Sequence, residues 1–207
     1  MEPIRYLALG DSYTIGTGLG DEAQNFPSLL AKKITEATGA NVSLVNLGVN
    51  GYTTADLIRQ ELPVARASAP EAVTVLIGAN DIVQGSDEES YRRRLQQIYA
   101  AVSQLGATAQ RVLSISVPDF SRLPGAAPFG TPAQLHSRLE AFNRIAQTEA
   151  TAAGFHYADI TDITRIPDHG GGWLAEDGLH PGPAQHRAIA DYLWGVVGRE
   201  WTRIRSS

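Results

Sequence analysis

IRYLALGDSYTIGTGLGDE, residues 4–22, is the stretch from which the fold can be read. Residues 4–9 form a short apolar run, the pattern of a strand buried on both faces. The run breaks at Gly10-Asp11-Ser12 into a loop with three further glycines, Gly16, Gly18 and Gly20. Such a turn has three uses: cradling a phosphate, reversing the chain without chemistry, or presenting Ser12 as a nucleophile.

The phosphate use fails on spacing. A P-loop ends in Gly-Lys-Ser/Thr, and the chain has no Gly-Lys pair. A dinucleotide fingerprint needs its glycines directly after the strand, whereas Gly16, Gly18 and Gly20 come late and misplace the third one. The nucleophile elbow G-x-S-x-G is absent as well, because Thr14 stands where its last glycine belongs.

Outward from this stretch, apolar runs recur at 42–47, 73–77 and 112–117, with a weaker one at 155–160. Segments 26–38, 54–68, 87–105 and 131–153 have helical spacing between them, as does the last stripe, Ala188 to Val197. Thr131-Pro132 supplies a cap and a first-turn proline, and Pro63 should kink or divide its helix. Alternation of this kind predicts an α/β fold with a central parallel sheet of about five strands, helices on both faces. At 207 residues the length suits one domain over 1–207 and is short for two. Ligands of such sheets bind beyond the carboxyl ends of the strands, so the loops there are where chemistry is expected.

Composition narrows the function. With 43% hydrophobic and 19% charged residues the chain is neither disordered nor a membrane span, and no run reaches the roughly 18 apolar residues a span requires. A net charge of −5 leaves no basic footprint for nucleic acid. Arg92-Arg93-Arg94 reads as a solvated helix face. The absence of cysteine removes disulfides, thiolate metal sites and a cysteine nucleophile. No secretory leader is visible, so a cytoplasmic location is expected, with secretion open to a form whose leader was removed. Oligomeric state is not legible.

A nucleophilic serine needs a base and a group that orients the base. His136 and His186 fall in helical segments, His156 at the weak strand, and His169 in a glycine-rich loop that could border a site. His180 follows Asp177 by three residues in Asp-Gly-Leu-His-Pro, a turn able to set the tautomer of the imidazole. Taken alone, a turn-capping Asp177 beside an uninvolved His180 is the simpler reading. The same holds for Gly51 as a turn glycine and Asn80 as a residue bonding its own backbone. A metal held by Asp177 and His180 would need a third ligand from afar, such as His169 or Asp11. The loops together favour one mechanism: Ser12 attacks, His180 and Asp177 assist, and donors at Ser12, Gly51 and Asn80 hold an oxyanion. Asp11 braces the turn.

Four blocks in order, Gly10-Asp11-Ser12, Asn46 to Gly51, Gly78-Ala79-Asn80-Asp81 and Asp177 to Pro181, resemble those of the SGNH hydrolases, the GDSL esterases and lipases. The resemblance implies a flavodoxin-like three-layer α/β/α sandwich and an ester hydrolase that needs no cofactor and no metal. It implies Ser12 as nucleophile, His180 as base, Asp177 as its support, and Ser12, Gly51 and Asn80 as oxyanion hole. The expected partner is a small-molecule ester, thioester or acetylated sugar, with no nucleic acid and no stable membrane insertion. A carboxylic ester or thioester hydrolase of lipase or thioesterase type is the leading expectation, and a carbohydrate O-acetyl esterase the alternative. A ligand-binding module with a vestigial site would have lost one of the five residues. Tyr13 departs from the leucine of the family motif and bulks the wall beside Ser12. Loops 14–25 and 118–131 should shape the pocket, with Phe120, Leu123, Phe129 and Trp173 as further walls.

Overall fold

The computed structural model describes residues 2–166 and 170–205, so His169 lies outside the described residues. In chain order the elements are β1 (Ile4–Gly10), α1 (Ser12–Ile15), α2 (Phe26–Thr38), β2 (Val42–Asn46), α3 (Thr54–Asp56), a π turn (Leu57–Glu61) and α4 (Leu62–Ala65). They continue as β3 (Ala72–Leu76), α5 (Ala79–Val83), α6 (Glu88–Val102), β4 (Val112–Ile115), α7 (Pro132–Ala152), β5 (His156–Ala158), α8 (Thr161–Thr164) and α9 (Pro183–Trp201).

The five strands form one parallel sheet in the order β2-β1-β3-β4-β5. Helices cover both faces, with α2 packed on α9 and α6 on α7, giving the expected flavodoxin-like three layers. That coverage explains why β1 and β3 are apolar without alternation: β3 is buried at every residue and β1 at all but Arg5. Tyr6 shows how a polar tip is accommodated there. Its ring meets Trp201 edge-on at 5.4 Å, and its hydroxyl pairs with the Thr74 hydroxyl at 2.9 Å.

From β1 the chain winds one way to β2 and the other way to β3, so the switch point lies at the carboxyl end of β1. Ser12 follows β1 and Asn80 follows β3, which brings the two loops together at that point.

Helix ends follow local chemistry. Asn25, Asp87 and Thr131 cap α2, α6 and α7 through side-chain oxygens, and Thr131 completes a capping box with Gln134. The 54–68 segment ends at Ala65 and is interrupted ahead of Pro63 by the π turn rather than broken at the proline. Just before the proline, Leu62 N donates to Leu57 O, the wider i→i−5 bond of a π turn, and α4 follows with Pro63 in its first turn, where a missing N–H is tolerated. The arginine trio is a correction. Arg93 is solvated, but Arg92 pairs with Glu149 at 2.8 Å and Arg94 reaches the buried Asp81 at 3.3 Å. Among the described residues no helix is long and apolar enough to cross a membrane.

Candidate active site

The turn after β1 is held from several directions. Gly10 has φ +153°, and a Cβ there would lie 2.2 Å from Leu76 O and 2.3 Å from Thr14 Oγ1, so no side chain fits. Asp11 caps the short helix α1, its Oδ1 accepting from Tyr13 N at 3.0 Å. The far end of the helix is pinned by Asn46, which donates to Thr14 O at 3.0 Å, and by Asn25, which donates to Ile15 O at 3.1 Å. Ser12 is therefore presented at the first position of a fixed helical turn, 5% exposed.

The other loops meet it there. Asn80 Nδ2 donates to Tyr52 O at 3.0 Å, which fixes the carboxamide with its nitrogen toward the second loop and leaves one N–H for a ligand. Asp81, fully buried, accepts from Thr54 N at 2.8 Å and from Thr54 Oγ1 at 2.6 Å. Burial pushes the Asp81 carboxyl above its ordinary range, with Thr54 and Arg94 opposing. These contacts lock the second and third blocks together.

His180 Nδ1 lies 2.6 Å from Asp177 Oδ2. Asp177 Oδ1 accepts from the amides of Leu179 at 2.9 Å and His180 at 3.0 Å, so the carboxylate serves its own turn and the imidazole at once. Burial alone would push the Asp177 carboxyl up; the hydrogen bonds from His180 and Leu179 outweigh it and hold the group below the usual range. An ionised Asp177 beside Nδ1 places the proton on Nδ1 and leaves Nε2 free to accept.

Ser12, Tyr13, Asn50, Ala79, Asn80, Val83, Phe120, Phe129, Leu179 and His180 line one cavity of about 210 Å³. Ser12 and His180 share its wall without a side-chain hydrogen bond, an arrangement common before substrate tightens a site. Tyr13 is buried against His180, ring centroids 5.6 Å apart, and so packs the imidazole as well as walling the cavity. Gly51, φ +84° in the Val49–Tyr52 turn, is exposed and sits one residue beyond Asn50 on the rim.

Several expectations need correction. Trp173 is outside the cavity, its indole donating to Ile166 O at 3.3 Å, and Leu123 is buried without lining it. No residue of loop 14–25 lines the cavity either. Gly16 instead ends α1 in the left-handed conformation, and Gly18 is pressed toward Ala175. Of loop 118–131, Phe120 and Phe129 do line it. His186 stands in a helix as expected, α9, where it is fully buried and its Nδ1 accepts from Phe26 N at 3.2 Å. Asn50, Val83 and Leu179 were missed as wall residues, and Asn25, Asn46 and Glu61 as braces. Leu57, Glu61 and Ala65 repeat every four residues, so a carboxylate on that buried stripe was the available signal for Glu61.

The chain matches the GDSL-like lipase/acylhydrolase family model over residues 8–188. It is similar to an arylesterase of Vibrio mimicus, 24% identical over 189 residues covering 91% of this chain and 86% of that protein. It is similar also to the esterase TesA of Pseudomonas aeruginosa, 25% identical over 193 residues, with 92% and 86% covered. Among solved structures, TesA superposes with a TM-score of 0.73 at 24% identity, covering 94% of this chain and 98% of that one. Axe2, an acetylxylan esterase from Geobacillus stearothermophilus, gives 0.74 at 19% identity, covering 96% and 95%; these two likenesses speak to the fold. The family match spans most of the chain, and the protein accordingly belongs to the GDSL-like lipase/acylhydrolase family and is an ester hydrolase.

Proposed function

We propose that the protein hydrolyses carboxylic esters or thioesters with an apolar acyl group through an acyl-enzyme on Ser12. The observation that carries this is the 2.6 Å His180–Asp177 pair, whose imidazole lines the same cavity as Ser12 and Asn80. His180 Nε2 takes the Ser12 proton as Oγ attacks the acyl carbon, and Asp177 stabilises the imidazolium. The oxyanion is received by the Ser12 and Gly51 amides and the remaining Asn80 N–H. His180 then returns the proton to the leaving alcohol or thiol, activates a water that attacks the acyl carbon, and Ser12 is regenerated.

Six of the cavity's ten wall residues are Tyr13, Ala79, Val83, Phe120, Phe129 and Leu179, which favours an apolar acyl group over a sugar ring. The volume of about 210 Å³ is below that of drug-sized sites, roughly 300–1,000 Å³, and equals about seven water-sized volumes. A p-nitrophenyl ester series from acetate to palmitate, run beside an acetylated xylooligosaccharide, tests this. We expect kcat/KM to be higher on the short and medium acyl chains than on palmitate, because the cavity is small. A maximum on the acetylated sugar would replace this reading with the O-acetyl esterase.

A further inference from the structure

Behind the nucleophile turn lies a carboxyl group that the mechanism above does not use. Glu61 ends the π turn, 3% exposed, and its Oε2 accepts from Gly10 N at 2.9 Å. Gly10 is the last residue of β1 and stands two positions before Ser12. At this point the chain leaves the sheet to aim the nucleophile. We propose, on the reading that Ser12 is the nucleophile, that Glu61 is a positioning residue: its carboxyl takes the Gly10 amide and fixes the backbone that aims Ser12.

The surroundings explain why a backbone contact of this kind is made by a side chain. Gly10 is the last residue of β1, opposite Leu76 of β3, with φ +153° and no room for a Cβ between Leu76 O and Thr14 Oγ1, and its amide is taken by a side chain. Its amide is buried and needs an acceptor. The π turn supplies one, because it packs against β1 and ends at Glu61, whose carboxyl reaches the Gly10 amide.

The group is suited to acting uncharged. Burial pushes the Glu61 carboxyl up to about 9, against the Gly10 amide and with the Asp11 carboxyl adding to the rise. Burial likewise pushes Asp11 up to about 7. Glu61 Oε1, Asp11 Oδ2 and Thr14 Oγ1, all around Gly10 and Asp11, are buried without a hydrogen-bond partner among the described residues. A second carboxylate there would face Asp11 with nothing to neutralise it, whereas a protonated acid, or an amide of the same shape, adds donors.

The test compares E61Q, E61L and E61D with the parent and S12A. Readouts are kcat and KM on p-nitrophenyl butyrate well below each melting temperature, and the rate of Ser12 labelling by a fluorophosphonate. A misplacement of about 1 Å costs roughly 100-fold, so E61L should lower kcat and labelling by about ten- to a hundredfold with KM within about twofold. E61Q, which keeps the acceptor, should stay within about threefold of the parent. A folded E61L with parental kcat, or E61Q falling as far as E61L, overturns the proposal. If E61L does not fold, E61D decides, since its shorter arm withdraws the acceptor; a folded E61D with parental kcat overturns it. Loss of folding in both, with E61Q intact, assigns Glu61 to stability alone and also overturns it. Turnover surviving in S12A would instead overturn the nucleophile reading, so the two failures are distinct.

Discussion

Asp177→Asn removes one proton acceptor and little else, and the structure says what should follow. Asp177 Oδ1 accepts from two backbone amides, at 2.9 and 3.0 Å, and Oδ2 faces His180 Nδ1 at 2.6 Å. In the variant the amide oxygen belongs at the Oδ1 position, because an NH2 group there would confront two N–H donors. The NH2 then faces Nδ1 and can donate only to an unprotonated nitrogen, which moves the imidazole proton to Nε2, toward Ser12. Flipping the carboxamide to restore the tautomer forfeits two hydrogen bonds, about 2–3 kcal/mol. Losing the charge on the imidazolium's partner costs about 2–3 kcal/mol more. Together these reduce kcat by roughly 10³- to 10⁴-fold, in line with the roughly 10⁴ that the same exchange costs a serine protease triad. The Asp177 side chain is 45% exposed, so stability should change by less than about 1 kcal/mol. The assay is steady-state hydrolysis of p-nitrophenyl butyrate, with thermal melts as the control for folding. A kcat within tenfold of the parent at an unchanged melting temperature would falsify the tautomer argument.

Asn80→Ala should keep the fold and lose about 100-fold or more in kcat, since one oxyanion donor goes; a parental rate would remove Asn80 from that role. Gly10→Ala places a Cβ 2.2 Å from Leu76 O at φ +153°, so we expect at least about 3 kcal/mol of destabilisation by urea unfolding. A melt like the parent's would mean the turn can relax. His186 is held neutral, burial pushing it down to about 4 with His180 adding to the shift, against about 6.5 unfolded. The unfolded chain therefore binds the extra proton first, and stability present above pH 6.5 is lost as pH falls toward 4, by about 3 kcal/mol. Replacing His186 with glutamine should flatten that part of the stability profile; equal slopes in the two proteins would assign it to other groups.

What was legible in the sequence was what depends on local pattern. Segment 26–38 is helical at both predicted ends because Asn25, Pro27 and Gly39 mark them. The candidate site residues could be read because each stands near the carboxyl end of a strand or beside its partner, as His180 does three residues from Asp177. What stayed hidden depends on contacts far apart in the chain. Glu61 meets Gly10 across 51 positions and Phe26 meets His186 across 160. Aromatic character made Trp173 a plausible wall, but its indole N–H is directed to the Ile166 carbonyl, a choice composition does not reveal. The loop of glycines after Ser12 was expected to shape the pocket, whereas Gly16 serves the left-handed end of α1.

Acyl transfer in the proposed reaction begins at Ser12. Titration with a fluorophosphonate, followed by intact-mass and peptide analysis, tests it most directly. One adduct per chain on Ser12, with activity lost in proportion and neither adduct nor turnover in Ser12→Ala, is the predicted result. An adduct on another residue, or an unlabelled Ser12 in an inactivated enzyme, would contradict it.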